Sequence, residues 1–425
     1  MEEWEHRLHK HLNMPSIAVA HTKEKHRSFE CVLSVVSEAV AHVGRMEAFV
    51  KPGQTVLIKP DQSVPFRAEE GCTTDPLVVG ALIRLARIAG AAKVQVAESS
   101  DGFRSALECM RITGMAAIAE QQGAEIIDLG SERVPNREID LPEGKVIHRV
   151  PLPVPLLDAD VVIAVPKAKN DFLDHISGAM KLWMGVVNQN WRARNAGDEN
   201  TIGRFVDIMG VTRPDLCVTD ALICGEGDGP VANLPRWCGC ILASSDPVAT
   251  DSTIARLMGL DEMKLRFAAE GEERGFGSRR PLVWLGMPLE RIAFQAWPGH
   301  KGYDHLPVNF LPGKGVTMSG TLGHLKSALD LLLRRGVLDQ VIRAKGTPTI
   351  MAGDVEDPEF ARHIEEGPYL VFDDAARPEY KNHRRVYFVP GHPVLDTALP
   401  ELMKGFGVEP ARGWPAGMRA HARKA

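Results

Sequence analysis

Short apolar runs alternate with helix-length amphipathic segments along the first 290 or so residues. Ser16–Thr22, Thr55–Lys59, Lys93–Ala97, Ala124–Leu129, Val161–Val165, Leu216–Thr219, Trp237–Ala243 and Leu282–Leu285 read as strands. In Phe29–Val43 the apolar residues Val32, Val35, Val36, Ala39 and Val43 recur at helical spacing. Thr74-Asp75-Pro76 is an N-cap followed by proline, which predicts a helix from Leu77 to Ala89 with Gly90 as its stop. Strands separated by helix-length segments predict β-α-β units. The expected fold is α/β, a mostly parallel sheet flanked by helices.

Three prolines in Arg149–Leu157 deny that stretch a central ladder and predict an irregular connection. Cys224-Gly-Glu-Gly-Asp-Gly-Pro230 reads as a loop. Helices are expected over Thr201–Met209, from Asp246 to Met258, and over Met263–Glu270. Proline and glycine punctuation then places a boundary between Arg291 and Gly315. Beyond it a smaller α/β unit is expected. Its strands are Val316–Ser319, Thr347–Ala352, Tyr369–Phe372 and Val386–Val389; its helices are Leu322–Arg334, Glu356–His363 and Pro393–Lys404. The domains are therefore predicted as 1–290, a linker over 291–315, and 316–425.

One stretch concentrates reactive side chains. Val161–Val165 ends at Pro166, and Lys167 and Lys169 follow at once. An acidic loop leads into a segment predicted helical, carrying Asp174, His175, Ser177 and Lys181. At about 100° per residue Asp174, Ser177 and Lys181 share one stripe, and Ile176, Met180, Trp183 and Val187 another. A buried strand that delivers charges at its C-terminal end is where open α/β sheets place ligands.

Composition narrows the classes. Among 425 residues 44% are hydrophobic and 25% charged, with a net charge of −5, so the surface is not a generally basic one that would hold nucleic acid. The basic tail Arg412–Ala425 is short and is expected to be solvated. No apolar run is long enough to span a bilayer, and the charged N-terminus is no secretory signal, so a cytoplasmic location is expected. Seven scattered cysteines do not form a disulfide framework. Cys238-Gly-Cys240 places two thiols on one strand face, which reads as core. There is no iron–sulfur cysteine cluster, no Walker lysine and no dinucleotide fingerprint, so no iron–sulfur, ATP or NAD motif.

Several motifs recur in one order: Lys59-Pro60, Thr73-Thr74-Asp75-Pro76, Pro166-Lys-Ala-Lys169, Ser177-Gly-Ala-Met-Lys181 with Gly185, Asp220, Glu226-Gly-Asp-Gly-Pro230 and Ser245-Asp246-Pro-Val-Ala-Thr-Asp251. Over residues 16–286 the chain thereby resembles the domain-of-unknown-function family 362. The family's usual Lys-Thr-His is here Lys169-Asn170-Asp171, and its Lys-Asn after the Ser-Gly motif is Lys181-Leu182. A histidine expected after Trp191-Arg192 is missing. Relatives carry a ferredoxin-like iron–sulfur module where this chain has Gly315–Gly407. A fainter overall likeness, an analogy only, is to nickel-pincer lactate racemases.

The candidate chemistry follows from residue type and placement. Lys167 and Lys169 leave a strand on one side and would attract a carboxylate or phosphate. Lys181, among other cations, would have a depressed pKa and serve as a base, with His175 as the other proton carrier. Asp220, Glu226 and Asp228 are three carboxylates in nine residues, able to supply an acid/base group or, for Glu226 and Asp228, to hold a divalent metal. Lys59, Thr74 and Ser177 add substrate contacts on the same edge, together with Glu98. Asp246 and Asp251 cap a helix start. His392, with Asp373 and Asp374, follows late strands and is expected to contact substrate in a cleft between the domains. His324 and His363 are expected at the surface.

The function predicted is proton-transfer, isomerase or lyase chemistry on a small anionic substrate, in a chain free to form a homo-oligomer. The alternatives are a redox or cofactor-assembly accessory and a non-catalytic ligand-binding protein.

Overall fold

The computed structural model describes residues 16–99, 105–195, 198–280, 283–318 and 320–408. Two compact units emerge. The first takes the described residues up to Asn188 together with Ile202–Pro298; the second takes Gln189–Thr201 and the chain from Gly299 onward.

The strands of the first unit are β1 (Ser16–His21), β2 (Thr55–Pro60), β3 (Lys93–Glu98), β4 (Glu125–Asp128), β5 (Asn136–Asp140), β6 (Arg149–Pro153), β7 (Val161–Val165), β8 (Lys167–Asp171), β9 (His175–Ser177), β10 (Leu216–Asp228), β11 (Ala232–Ser244) and β12 (Val283–Gly286). The main sheet runs β12-β1-β11-β10-β7-β2-β3-β4, with β8 added on β10 and β9 on β8. Strands β10, β7, β2, β3 and β4 are parallel, and β11 is antiparallel to both β10 and β1. The α/β sheet expected from the pattern is present. Its central strands β2 and β7 carry the apolar runs Val56–Ile58 and Val161–Val165, which are buried because both faces are covered.

The chain moves outward from β2 to β3 to β4, then returns to lay β7 on the other side of β2. That reversal makes the gap between the C-terminal ends of β2 and β7 the topological switch point, where open sheets hold ligands. The helix Pro76–Ile88, packed on β2 and β3, is capped by Asp75, whose carboxylate accepts the Leu77 N–H at 2.9 Å.

Three local expectations change. The segment after Lys169 is no helix through Lys181: β8 turns back as β9 in a short hairpin, and only Ala179–Leu182 is helical. The residues from Cys224 to Asp228 form no loop. They continue β10, which pairs with β11 through Asp228 and bulges between Ala221 and Ile223. Arg149–Pro153 forms a two-stranded ribbon with β5, off the main sheet, as its prolines require.

The second unit has a four-stranded parallel sheet, β13 (Asn309–Pro312), β14 (Thr349–Ala352), β15 (Tyr369–Phe372) and β16 (Val386–Val389), in that order. Its first strand lies inside the stretch expected to be a linker, whereas Val316–Met318 is loop. Helices Thr321–Arg334 and Val337–Lys345 join β13 to β14. His324 and His363 are buried, against the surface position expected of them; His363 Nδ1 lies 2.8 Å from Asp357.

Candidate functional site

The switch point of the first unit is filled by charge. Lys59 ends β2 and its ammonium lies 2.5 Å from Glu98, which ends β3. Lys167 opens β8 and pairs with Asp220 at 2.9 Å, both side chains fully buried. Lys169 sits 3.0 Å from Asp61 and donates to the Cys72 carbonyl at 2.5 Å. Each sequence-predicted lysine of this edge is therefore held by a carboxylate inside the protein. Burying three ion pairs costs several kcal/mol per ion unless hydrogen bonds complete each one.

Those hydrogen bonds come from the motifs. The Asp220 carboxylate also accepts the Asp75 N–H at 2.7 Å and the Leu222 N–H at 3.0 Å. The Thr74 hydroxyl donates to the Val165 carbonyl at 2.7 Å and accepts the Asp61 N–H at 2.9 Å, tying the ends of β2 and β7 together. Glu98 accepts N–H bonds from Gln62 and Ser99. Gly185 lies against the Lys59–Glu98 pair so closely that a Cβ would stand 2.8 Å from the Lys59 nitrogen. A side chain there would have to push the pair aside.

Burial pushes the Glu98 carboxyl up, against the pull of Lys59. Asp75 is raised by burial and by the neighbouring Asp220 charge, while Arg27 and Lys167 oppose. For Lys169 burial acts downward most strongly, yet Asp61, Cys72 and Asp171 together offset it and the ammonium is held above its ordinary value.

Lys181 differs. Its side chain keeps 16% of its exposure, and its ammonium lies 2.7 Å from the fully buried Asp171. The cations expected to crowd it are each occupied by their own carboxylate, which leaves Lys181 facing Asp171. Asp171 is set by its Asx turn, accepting the Leu173 N–H at 2.8 Å. His175 is the cross-strand partner of Asp171 in the hairpin register. His175 is exposed and holds a left-handed φ of 66°, a conformation uncommon for a non-glycine residue. Partial burial of its ring, with Lys264 and Arg266 nearby, lowers its pKa, so the imidazole is neutral at pH 7.

The helical turn that carries Lys181 is fixed from below. Asp251 accepts the Ala179 N–H at 2.5 Å and the Met180 N–H at 3.2 Å, and Gly178 lets it approach. Asp251 thus caps the Lys181 turn and not its own helix, which Asp246 caps through the Ala249 N–H at 2.7 Å. Asp174, expected beside Lys181 on a helical stripe, instead accepts the Arg266 and Phe267 N–H groups, and burial raises it to about 7. Ser177 is buried, opposite Lys169 in the β8–β9 register.

Glu226 and Asp228 lie on the outer half of β10, beyond the bulge that separates them from Asp220. Glu226 accepts the Trp297 N–H at 3.2 Å and lies 3.5 Å from Arg236. Asp220 is committed to Lys167, so the three carboxylates are not gathered on one ligand position. Sequence reasoning missed Asp61 and Asp171; both stand two residues beyond a lysine at a strand end, the spacing that puts them on the lysine's own side. His392 belongs to the second unit.

Residues 56–256 match the model of a family described as a domain of unknown function, DUF362. The motifs on which the resemblance rested are the ones that build the buried pairs and the Lys181 turn. A relative is the thylakoid-associated protein sll1697 of Synechocystis sp., 28% identical over 245 residues, 55% of this chain and 72% of the relative. Among solved structures, the lactate racemase apoprotein from Thermoanaerobacterium thermosaccharolyticum aligns with 11% identity and a TM-score of 0.34, covering 92% of this chain and 89% of that one. A Thermotoga maritima protein aligns with 12% identity and a TM-score of 0.33, over 81% and 76%. Likeness at this level says nothing about chemistry. Among the described residues no helix is long and apolar enough to cross a membrane.

Proposed function

We propose that the first unit is an enzyme that moves a proton on a small carboxylate- or phosphate-bearing molecule, at a carbon next to a carboxylate or carbonyl. The observation that carries this reading is the Lys181–Asp171 pair, with the neutral His175 opposite Asp171. Lys181 supplies a positive charge to the substrate's anionic group and a proton to the oxygen on which charge develops. His175 takes the proton from carbon. Asp171 holds Lys181 in place and balances its charge between turnovers. Lys59, Lys167 and Lys169 act at one remove, as a neutralised framework that keeps the edge of the sheet rigid.

The thiols speak against the accessory redox reading. Burial pushes Cys217 and Cys240 well above the ordinary thiol range, which keeps them protonated and poor as ligands or nucleophiles.

The test is hydrogen exchange. The purified chain is incubated in deuterium oxide with a panel of 2-hydroxy, 2-oxo and 2-phospho carboxylates, and deuterium at carbon is read by mass spectrometry. Wild type is expected to exchange at least one of them. Lys181→Arg keeps the ion pair with Asp171 but cannot give up a proton near neutrality, so exchange should be lost while the fold stays intact. Full exchange by a folded Lys181→Arg protein would remove Lys181 from the reaction. No exchange by wild type with any compound would overturn the proton-transfer reading.

A further inference from the structure

The second unit carries its own side-chain cluster at the C-terminal edge of its parallel sheet. Asp373 follows β15 directly and has a left-handed φ of 82°. Its carboxylate is fully buried, yet no lysine or arginine is recorded against it among the described residues. One oxygen accepts the Thr321 hydroxyl at 2.9 Å and faces His392 Nδ1 at 2.6 Å; the other accepts the Ala375 N–H at 3.0 Å. His392, three residues past β16, keeps 59% of its side-chain exposure.

Nδ1 faces Asp373, so Nε2 is the ring nitrogen turned away from the buried carboxylate. This is the arrangement by which a buried carboxylate orients a histidine as a proton acceptor. His392 lines a pocket of about 340 Å³ together with Thr321, Thr317, Glu199, Asn200 and Asp198. That volume suits a small molecule. All six side chains belong to the second unit. Two hydroxyls, an amide and two carboxylates stand in its wall, a polar lining that suits a ligand bearing several hydroxyls. Two carboxylates at its wall disfavour an anion.

From this geometry we infer that the second unit holds a separate binding site for a small polyhydroxylated molecule, in which His392 Nε2 accepts a ligand hydroxyl and Asp373 fixes the ring. The inference is independent of the proton-transfer reading of the first unit, since no residue is shared.

The experiment follows the ring itself. The full chain is labelled at histidine Cε1, the His392 resonance is assigned by its loss in His392→Gln, and ribose, myo-inositol, acetate and inorganic phosphate are titrated separately. A saturable shift of the His392 resonance with ribose or myo-inositol is expected. Asp373→Asn, which frees the other tautomer, should weaken the apparent affinity at least about tenfold. Because His392 is exposed, His392→Gln should fold normally and lose the saturable heat of binding in calorimetry. The inference fails if neither polyol shifts His392 saturably, if acetate or phosphate does so and the polyols do not, or if His392→Gln binds the polyol as wild type does.

Discussion

The two sheets end their parallel strands in charged side chains and treat them in opposite ways. On the first sheet Lys59, Lys167 and Lys169 are sealed inside, each against a carboxylate, and among the four lysines of that edge Lys181 alone keeps more than 1% exposure. On the second sheet the buried partner is a carboxylate, and the group that faces outward is a histidine. The difference shows that a lysine-rich strand end is no measure of reactivity. A fully paired, buried lysine has already spent its charge on the fold, whereas a half-exposed side chain over a buried carboxylate still has a free direction.

Breaking a sealed pair should therefore cost more than breaking an open one. Asp220→Ala would leave the buried Lys167 and two N–H groups without an acceptor. A loss of about 3–5 kcal/mol is expected, read by urea denaturation. A loss below that of an exposed pair would mean that Lys167 reaches water. Next in size is Gly185→Ala, whose methyl would press on Glu98 and Lys59. About 1–3 kcal/mol is expected from overpacking, with no change in far-ultraviolet circular dichroism.

Asp174 sharpens the comparison through pH. Its folded pKa of about 7 lies above the ordinary value of 3.8, so the native state holds an extra proton between the two. Stability contributed by this group falls as pH rises through that window and is level above it. Asp174→Asn carries no titration there, and its denaturation midpoint should fall less than wild type between about pH 5 and pH 8. Equal slopes would show that Asp174 is ionised throughout. The smallest effect belongs to Lys181→Arg, which preserves the pair with Asp171. Its stability should lie within about 0.5 kcal/mol of wild type even though proton transfer is lost.

Much of this molecule was legible as pattern. The strands β2, β3 and β7 and the helix Pro76–Ile88 follow from apolar runs, a capping aspartate and a proline at the first helical position. The hairpin β8–β9 was not legible, because His175-Ile176-Ser177 is too short for a period of two to stand out from helical spacing. The Cys224–Asp228 stretch carries two glycines, which read as a turn; in the fold they admit close neighbours, Gly71 against Gly225 and Trp297 against Gly227. Asp251 shows the same limit. Local spacing made it a cap of its own helix, and a contact 72 residues away made it the cap of the Lys181 turn.

The sequence by itself determined the α/β class, the place where strands deliver lysines, and the motifs that the central segment shares with a family model, since these depend on local periodicity and short motifs. Only the tertiary structure decided which charges remain available. Pairing partners such as Glu98, Asp61 and Asp220 arrive from other strands, and burial acts on a side chain through everything packed around it. Residue type fixes what a group can do in water; the surrounding fold decides whether it still has a free hydrogen bond, or a proton, to offer.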